Sequence, residues 1–273
     1  MRSSETAVRA TSSASVLLFL AHSMIFAINL IMPKVFKNRC ALLLCGAMNA
    51  LHAAVERFFL GERNSGRKGA VLDAGAGPGD ITKSLQRFGF AVTAVDIEPE
   101  FRGCRSANLN NNLPFRAGKF DYIVCLEVAE HIENTRHLIR EFSRVIRNGG
   151  TLLISTPNIG NIFSRLKFLL TGEFFCFSRY ERKLGHINPV PPWLMQESLE
   201  ASGFRVVGVK ASEYLRLSGL DNANVQAKRF AARLAYALLR PFLRPKNREF
   251  LKADSLIFFA RKIGHQRSAL QQK

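Results

Sequence analysis

Apolar and polar residues follow two different periods along the middle of the chain. Mostly apolar runs bounded by Gly, Asn or Pro predict buried strands at residues 70–73, 91–96, 121–126 and 151–155. Between these runs, apolar residues recur every three or four positions, which predicts helices at residues 81–88, 135–147 and 193–201. Strands that alternate with helices form parallel βαβ units. We therefore predict a Rossmann-like, doubly wound and mostly parallel α/β sheet, completed by strands at residues 204–210 and 255–260.

Further helical patterns lie on either side of the central strands. Residues 16–32 are apolar apart from His22, Ser23 and Asn29, and their length is at the lower limit for crossing a bilayer. Three interpretations are open: a transmembrane anchor, a helix that packs on the domain or lies in the membrane interface, and a cleaved signal peptide. More helices are predicted at residues 40–60 and 223–244. The second has a basic stripe formed by Arg229, Arg233, Arg240 and Arg244.

These patterns divide the chain into three parts. Residues 1–60 form an N-terminal tail and apolar helices that could contact a membrane. Residues 61–262 form the α/β domain, in which residues 161–190 and 215–250 are predicted to cover a substrate. Residues 263–273 are a polar tail.

The charge of the chain is large and uneven. The net charge is +18, and residues 1–60, 61–160 and 161–273 carry net charges of +4, +2 and +12. The basic residues therefore lie mainly on the parts predicted to face a substrate or an anionic surface, such as nucleic acid, anionic lipid or a phosphorylated glycan. The five cysteines form no C-x-x-C pair, which favours thiols in a reducing compartment and predicts no metal site.

A glycine-rich loop follows the first predicted strand. Its sequence is Asp73-Ala74-Gly75-Ala76-Gly77-Pro78-Gly79, with glycines at alternate positions. Glycine tolerates positive φ and has no Cβ, so the backbone of this turn can approach a ligand closely. The spacing differs from the G-x-G-x-x-G loop of dinucleotide-binding proteins, and the carboxylate before the glycines suits a cationic ligand better than a pyrophosphate. The ligand is expected beside the N-terminus of the following helix.

The loop resembles motif I of the class I S-adenosylmethionine (SAM)-dependent methyltransferases. The second strand ends in Asp96, which is placed to bind both hydroxyls of a ribose. Three later segments resemble the subgroup that acts on small molecules, which includes quinone O-methyltransferases and methyltransferases of bacterial glycan and lipid pathways. These segments are Leu113-Pro114-Phe115, Glu127-Val128-Ala129-Glu130-His131 and Asn148-Gly149-Gly150-Thr151.

The resemblance implies SAM as the cofactor and assigns it a set of residues. Asp73, Gly75, Gly77 and Gly79 would cradle SAM, and Asp96 with Ile97 would hold the ribose side. Asn108 stands where the family usually has Asp, and with Leu109 it would flank the adenine, because an amide can also bond the adenine amino group. Leu126 and Glu127 would line the sulfur. Asp73, Asp96 and Leu126 end predicted strands, whereas Asn108 and Leu109 lie in the polar loop before the strand at residues 121–126.

The predicted reaction is methyl transfer to a small or lipid-linked acceptor, most simply to an oxygen. His131 and His186 are the rival candidates for a general base, although alignment alone supplies much of the rate of methyl transfer. The Phe-rich and basic segment 161–183 is either a lid or a surface for an anionic membrane. Alternative functions are an RNA methyltransferase and a non-catalytic SAM-binding scaffold. We expect a cytoplasmic protein, peripheral or anchored at the inner face of a membrane.

Overall fold

The computed structural model describes residues 40–212 and 250–263. The chain divides into two compact units, residues 1–45 and 46–273, and the description below concerns the second. The predicted helices at 16–32 and 223–244 and the polar tail lie outside the described residues. The membrane-span question for residues 16–32 is therefore still a prediction. Within the described ranges, no helix has both the length and the apolar character needed to cross a bilayer.

The order of the elements confirms the predicted alternation of strands and helices. The strands are β1 (Ala70–Ala74), β2 (Ala91–Asp96), β3 (Arg105–Ser106), β4 (Phe120–Cys125), β5 (Ile146–Pro157), β6 (Phe204–Ala211) and β7 (Ser255–Lys262). The helices are α1 (Cys40–Asn64), α2 (Asp80–Arg87), α3 (Thr135–Val145), α4 (Ile162–Thr171), α5 (Arg179–Lys183) and α6 (Pro192–Ala201). Short 3₁₀ turns lie at Ala129–His131 and Phe250–Lys252.

The seven strands form one sheet in the order β3-β2-β1-β4-β5-β7-β6. Strands β1 to β5 are parallel, whereas β7 runs antiparallel to both β5 and β6. The strand order reverses at β1, between β2 and β4. In doubly wound sheets, ligands bind at this switch point, outside the carboxyl ends of the strands. The glycine-rich loop leaves β1 at this point.

Apolar residues fill both faces of the sheet, which explains why its inner strands read as continuous apolar runs. On one face, Leu51, Val55 and Phe59 of α1 and Leu85 of α2 are buried against the sheet. The ring of Phe59 makes an edge-to-face contact with Phe90, at 4.9 Å between centroids. The other face is covered by α3 and α6, whose buried residues are Leu138, Ile139, Phe142, Met195 and Leu199.

Strand β5 begins earlier than the sequence predicted. The pattern placed the end of α3 at Arg147 and the start of the strand at Thr151, but α3 ends at Val145 and β5 starts at Ile146. The register between β4 and β5 is irregular at this point, because Phe120 pairs with Ile146 whereas Tyr122 pairs with Thr151. A Cβ on Gly150 would lie 2.8 Å from the carbonyl oxygen of Asp121. The glycines therefore permit an irregular start to the strand, where the sequence suggested a helix stop.

Candidate active site

The glycine-rich loop adopts backbone conformations that favour glycine. Gly75, Gly77 and Gly79 have φ values of 81°, 47° and 83°. A Cβ on Gly75 would lie 2.3 Å from Cγ2 of Val128, and one on Gly79 would lie 2.7 Å from the ring of Phe101. A Cβ on Gly77 would meet no described atom within 4 Å. Two glycines are therefore needed for packing within the protein, whereas Gly77 faces open space.

Hydrogen bonds join this loop to the end of β2. The N–H groups of Gly75 and Ala76 donate to the carbonyl oxygen of Val95, at 2.9 and 3.1 Å. The N–H of Gly77 donates to Oδ2 of Asp96 at 2.9 Å, and Oδ1 of Asp96 accepts from the N–H of Glu98 at 3.1 Å. Each carboxylate oxygen can accept more than one hydrogen bond, so Asp96 keeps accepting capacity for a ligand. The structure thus brings together two of the predicted cofactor residues, Gly77 and Asp96.

Asp73 lies below the loop and not in an open crevice. Its side chain is 4% exposed, and its Oδ2 accepts a hydrogen bond from the hydroxyl of Thr82 in α2, at 2.6 Å. Burial raises the pKa of Asp73 to about 6, against the opposing effect of the Thr82 bond. The carboxyl therefore links β1 to α2. It also places beneath the glycines a group that can be protonated or ionised near neutral pH.

The segment predicted to flank an adenine is divided between exposed and buried residues. Ile97 is 62% exposed, whereas Leu109 is buried in the core. Asn108 is exposed, and its Oδ1 accepts from the N–H of Asn110 at 2.9 Å. The Asn108 side chain therefore orders its own turn and can also reach a ligand.

Arg144 of α3 holds the Leu-Pro-Phe segment that follows this turn. Its guanidinium donates to the carbonyl oxygens of Phe115 and Leu113, at 2.7 and 2.9 Å. Glu141 completes the anchor, because its Oε2 accepts from the N–H of Leu113 at 2.8 Å and pairs with Arg144 at 2.7 Å. Arg144 and Glu141 therefore anchor to α3 the segment that follows the predicted adenine-binding turn.

Glu127, directly after β4, has a strained backbone, and hydrogen bonds fix its side chain. It is a non-glycine residue with a φ of 52°. Its Oε1 accepts from the hydroxyl of Ser155 in β5 at 2.7 Å, and its Oε2 accepts from the hydroxyl of Ser255 in β7 at 2.9 Å. Its own N–H donates to Oγ of Ser155 at 2.9 Å. Leu126 before it is buried, and Val128 after it packs on Gly75, so this turn adjoins the glycine-rich loop.

Two further carboxyl groups lie close enough to Glu127 for their charges to interact. Glu130 is 1% exposed, and burial together with the charge of Glu127 raises its pKa well above the ordinary value. Burial and the charge of Glu127 also raise the pKa of Asp254 to about 8. Burial raises the pKa of Glu127 itself, against the effect of the two serine hydroxyls. Like charges in one site disfavour simultaneous ionisation, so protons are shared within this carboxyl cluster at neutral pH.

The two histidines that the sequence offered as rival bases lie side by side. The rings of His131 and His186 are edge to face, with centroids 4.7 Å apart. His186 is 5% exposed, and its Nδ1 donates to the carbonyl oxygen of Cys176 at 2.8 Å, which leaves only Nε2 to accept a proton. Burial lowers the pKa of both rings, and for His131 the neighbouring His186 lowers it further. The pair is therefore neutral near pH 7.

The loop that carries His186 is bonded to the 3₁₀ turn that carries His131. The N–H groups of Ile187 and Asn188 both donate to the carbonyl oxygen of Glu130 at 2.9 Å. The Asn188 amide also donates to the carbonyl oxygen of Ile132 and to the hydroxyl of Thr135, each at 2.8 Å. The predicted substrate-covering loop thus lies on the turn that follows β4.

Glu130, His131 and His186 place three ligand-type atoms within 4.8 Å of one another. Sequence spacing gave no sign of this group, because His186 is far from the other two along the chain. The cluster is close enough to hold a cation, so the expectation of no metal site stays a prediction.

Sequence reasoning did not single out several residues of this site. They are Thr82, Ser155, Asp254 and Ser255, together with Glu130 as a buried acid. Ser155 carried a usable signal, because it is a polar residue at the carboxyl end of a predicted parallel strand. Asp254 and Ser255 carried none before the antiparallel placement of β7 was known.

Comparison with known proteins gives a family match over most of the described residues. The model of a family described as a methyltransferase domain matches residues 47–209, which is more than half of the chain. A ubiquinone biosynthesis O-methyltransferase from Xanthomonas oryzae pv. oryzae is 32% identical over 102 residues, covering 32% of this chain and 43% of the relative. One from Xanthomonas axonopodis pv. citri is 30% identical over 129 residues, covering 41% and 54%. The chain thus spans about half the length of these curated relatives.

Solved structures share the fold at low sequence identity. The Haloferax volcanii complex of the Trm112 methyltransferase activator with its methyltransferase partner matches with a TM-score of 0.51 and 13% identity, covering 72% of this chain and 83% of the other. A Galdieria sulphuraria protein described as a sarcosine dimethylglycine methyltransferase matches with a TM-score of 0.50 and 14% identity, covering 77% and 86%. These similarities agree with the Rossmann-like sheet described above.

Proposed function

The chain belongs to the methyltransferase-domain family, and from this premise we propose that it transfers a methyl group from SAM to an oxygen of a small or lipid-linked acceptor. SAM is the cofactor, and it supplies an already activated methyl group on a sulfonium. The curated relatives that share part of the chain are named O-methyltransferases, which supports oxygen as the receiving atom.

The proposal depends most on the bond between Gly77 and Asp96. It fixes a carboxylate with spare accepting capacity beside the glycine that faces open space. A ribose needs an acceptor for two adjacent hydroxyls, and a nucleoside needs a backbone without side chains beside it. We infer that Gly75, Gly77 and Gly79 pass under the nucleoside and that Asp96 binds the ribose.

The other predicted cofactor residues have matching roles in this proposal. The exposed Ile97 and the Asn108 turn, with Leu109 beneath it, flank the adenine. Leu126 and Glu127 lie at the end of β4 next to Gly75, on the side where the sulfur is expected. Asp73 has an indirect role in this proposal. Its carboxyl accepts a hydrogen bond from Thr82 of α2 and so supports the glycine-rich loop. A buried carboxyl beneath the site also favours the positive charge of a sulfonium.

The proton of the acceptor has two candidate recipients from the sequence, His131 and His186. Both are neutral and can accept a proton, and His186 can do so only at Nε2 because Nδ1 is bonded to Cys176. Since the bonded loop 185–188 lies over the turn after β4, we infer that it covers the acceptor and excludes water.

Calorimetry with SAM tests the cofactor assignment. The full chain is expected to bind SAM, and Asp96→Ala is expected to weaken binding at least tenfold, because the ribose loses its acceptor and the loop loses its tie. Glu98→Ala is the matched control, since its exposed carboxyl lies two residues away and only its backbone bonds Asp96. No binding by the folded chain, or equal binding by Asp96→Ala, would contradict the proposal. Transfer from labelled SAM to hydroxylated probes then tests the reaction.

Exposed apolar residues on and near helices α4, α5 and α6 support contact with an anionic membrane. Leu169 is 79% exposed, Trp193 is 62% exposed, and Phe168 and Leu184 are also exposed. Basic residues on α4 and α5, including Arg165 and Lys183, lie in the same segments. Apolar side chains that insert among headgroups and cations that attract anionic lipid together give reversible membrane binding. This contact would bring the site to a lipid-linked acceptor.

Co-sedimentation with vesicles tests the membrane contact. The full chain is expected to pellet with vesicles that contain anionic lipid, and Leu169→Glu should reduce the pelleted fraction by more than half, because it places a charge among acyl chains. Val207→Glu is the control, since Val207 is a 58% exposed apolar residue on β6. Equal pelleting by Leu169→Glu and the unmodified chain would exclude this surface as the membrane contact.

A further inference from the structure

Acidic and basic residues are segregated between the two ends of the strands. At the carboxyl ends of β1, β2 and β4, seven acidic residues and one arginine occur in residues 73–79, 96–104 and 126–134. At or next to the opposite ends, eight lysines and arginines and no acidic residue occur in residues 65–69, 116–119, 147–150, 202–205 and 261–263. The net charge of +18 therefore includes a basic group at the end of the sheet remote from the glycine-rich loop.

The antiparallel placement of β7 brings these basic segments to one edge of the sheet. Pro157 at the end of β5 pairs with Ser255 at the start of β7, so Arg261 lies at the amino ends of the parallel strands. Strand β6 is antiparallel to β7, and its Arg205 pairs with Arg261. The strands β1, β4, β5, β7 and β6 are consecutive in the sheet. Because neighbouring strands lie about 4.8 Å apart, this edge extends over roughly 19 Å.

Three of the eight cations at this edge are bound within the protein. Arg67 pairs with Glu62 at 2.9 Å, Arg147 pairs with Asp121, and Lys262 donates to backbone carbonyl oxygens at the end of α3. Within residues 40–212 and 250–263, no ion pair with an acidic residue is found for the other five cations. These five are named the basic edge: Lys68, Arg116, Lys119, Arg205 and Arg261.

The basic edge is open to solvent. All of its side chains except Lys119 are exposed. Lys119 is half-buried, and its Nζ lies 4.4 Å from the centroid of the Phe115 ring. Glu197 and Glu200, near the end of α6, are exposed acidic residues on the same side. The positive charge of the basic edge is therefore only partly offset by nearby acids.

Two arginines of the basic edge lie directly opposite each other. Arg205 of β6 and Arg261 of β7 are cross-strand partners, and both are exposed. The other cross-strand partner of Arg261 is the uncharged Thr151. Like charges in directly opposite positions destabilise a sheet. A bound anion would remove this repulsion, so the pair indicates a negatively charged ligand at this point.

We propose that the basic edge binds the phosphodiester backbone of nucleic acid independently of base sequence. This inference goes beyond the proposed methyl transfer and does not depend on it. A duplex carries one negative charge per about 1.7 Å of its axis, so about 11 phosphates lie along the roughly 19 Å of the edge. Among the described residues, the exposed large aromatic side chains are those of Phe168, Tyr180 and Trp193, and none lies in the basic segments. Bases therefore find no stacking surface at this edge, and contact is limited to phosphates.

A bilayer fits this edge less well than nucleic acid does. Reversible membrane binding combines cations with inserted apolar side chains. Leu169, the most exposed large apolar residue described, lies on α4, which follows the carboxyl end of β5. The side chain of Asn161 fixes the start of α4 there by donating to the carbonyl oxygen of Ala253 at 3.3 Å. The proposed membrane contact therefore begins at the end of the sheet opposite to the basic edge.

A rigid row of charges also suits this edge better than a flexible acidic polypeptide. The five cations stand on or directly beside strands of one sheet, so their backbone positions are fixed. The phosphates of a duplex are likewise fixed in a continuous row. A flexible acidic chain would lose conformational entropy when it binds, whereas a duplex would not.

The proposed SAM site lies at the other end of the strands. Strand β1 has five residues, and each residue extends a strand by about 3.3 Å, so the glycine-rich loop is about 17 Å from the basic edge. Nucleic acid bound at this edge is therefore not the methyl acceptor. Binding of nucleic acid and methylation of nucleic acid are thus separate properties, and only binding is proposed.

Fluorescence anisotropy of the full chain with a labelled DNA duplex of about 20 base pairs tests the proposal. The unmodified chain is expected to bind, and Arg205→Gln/Arg261→Gln should bind at least tenfold more weakly at about 0.1 M salt, because two phosphate contacts are lost. The slope of log K against log salt concentration should become shallower by about 2, since each contact contributes about 0.9. An RNA duplex of the same length is the second probe, and it should respond to the substitutions in the same direction.

Arg136→Gln/Arg140→Gln is the matched control. Both arginines are exposed on α3, and their replacement lowers the net charge by the same amount. This variant should retain the salt slope of the unmodified chain. Thermal unfolding of both double variants shows whether they are folded, and their affinity for SAM should equal that of the unmodified chain.

Several results would overturn the proposal. Equal duplex affinity and salt slope in Arg205→Gln/Arg261→Gln and the unmodified chain would place the nucleic-acid contact elsewhere, and equal losses in the two double variants would assign binding to net charge alone. Displacement of the duplex by poly-L-glutamate at equal charge concentration would favour an acidic protein as the partner. Loss of pelleting with anionic vesicles in Arg205→Gln/Arg261→Gln would favour a membrane. Transfer of label from SAM to either duplex would contradict the separation of the two sites. Duplex binding is measured without SAM, so failure to bind SAM would contradict the proposed function alone.

Discussion

Replacing Gly77 with alanine is expected to weaken SAM binding about 30-fold while leaving the fold intact. A Cβ at this position meets no described protein atom within 4 Å, so it would project into the space proposed for the nucleoside. Overlap of one methyl group in a well-packed site costs about 2 kcal/mol, and each 1.4 kcal/mol is a factor of ten in affinity. Calorimetry gives the affinity, and thermal unfolding of the same sample gives the stability.

Alanine substitutions at two other glycines separate the effect of Gly77→Ala on SAM binding from its effect on the backbone. Gly66 also has positive φ, 73°, and open space around its Cβ position, but it lies beyond the end of α1. Gly66→Ala should therefore share the backbone cost of about 1–2 kcal/mol and leave the affinity for SAM unchanged. Gly75→Ala should destabilise the fold, because its Cβ would clash with Val128. Wild-type affinity in Gly77→Ala would place the nucleoside elsewhere.

The positions of Asp73 and Asp96 in the fold could be predicted because each residue lies at the end of a strand. Asp73 and Asp96 end β1 and β2, and parallel strands bring their carboxyl ends to one edge of the sheet. The bond between Gly77 and Asp96 is a consequence of that neighbouring order. Local pattern and topology agree here, so the sequence is sufficient to bring these two carboxyls to one edge of the sheet.

The surroundings of Glu127 and the pairing of His131 with His186 could not be predicted, because distant segments meet there. Ser255 reaches Glu127 across 128 positions of sequence, through a strand that runs against its neighbours. His131 and His186 were rival bases in the sequence, and only the folded loop places their rings together. The early start of β5 was missed for another reason: glycines that resemble a helix stop also permit an irregular strand pairing.

The stability of the chain without SAM is expected to fall as the pH rises from about 5.5 to 8. Asp254 has an ordinary pKa of 3.8, and burial with the nearby Glu127 raises it to about 8 in the folded chain. Between those values the folded state binds a proton that the unfolded state has lost, so the free energy of unfolding decreases with rising pH. Asp73, raised to about 6, acts in the same direction over the lower part of the range. We expect the unfolding temperature to fall by about 5 °C, measured by calorimetric scans across this range.

Asp254→Asn distinguishes this carboxyl from a general effect of net charge. The amide keeps the shape of the side chain and cannot ionise, so the variant should be more stable than the unmodified chain at pH 8. It should lose part of the slope, because the raised pKa values of Glu127, Glu130 and Asp73 contribute the rest. Glu98→Gln removes one negative charge from an exposed site and is expected to leave the slope unchanged. A slope that is unchanged in Asp254→Asn would assign the pH dependence to other groups.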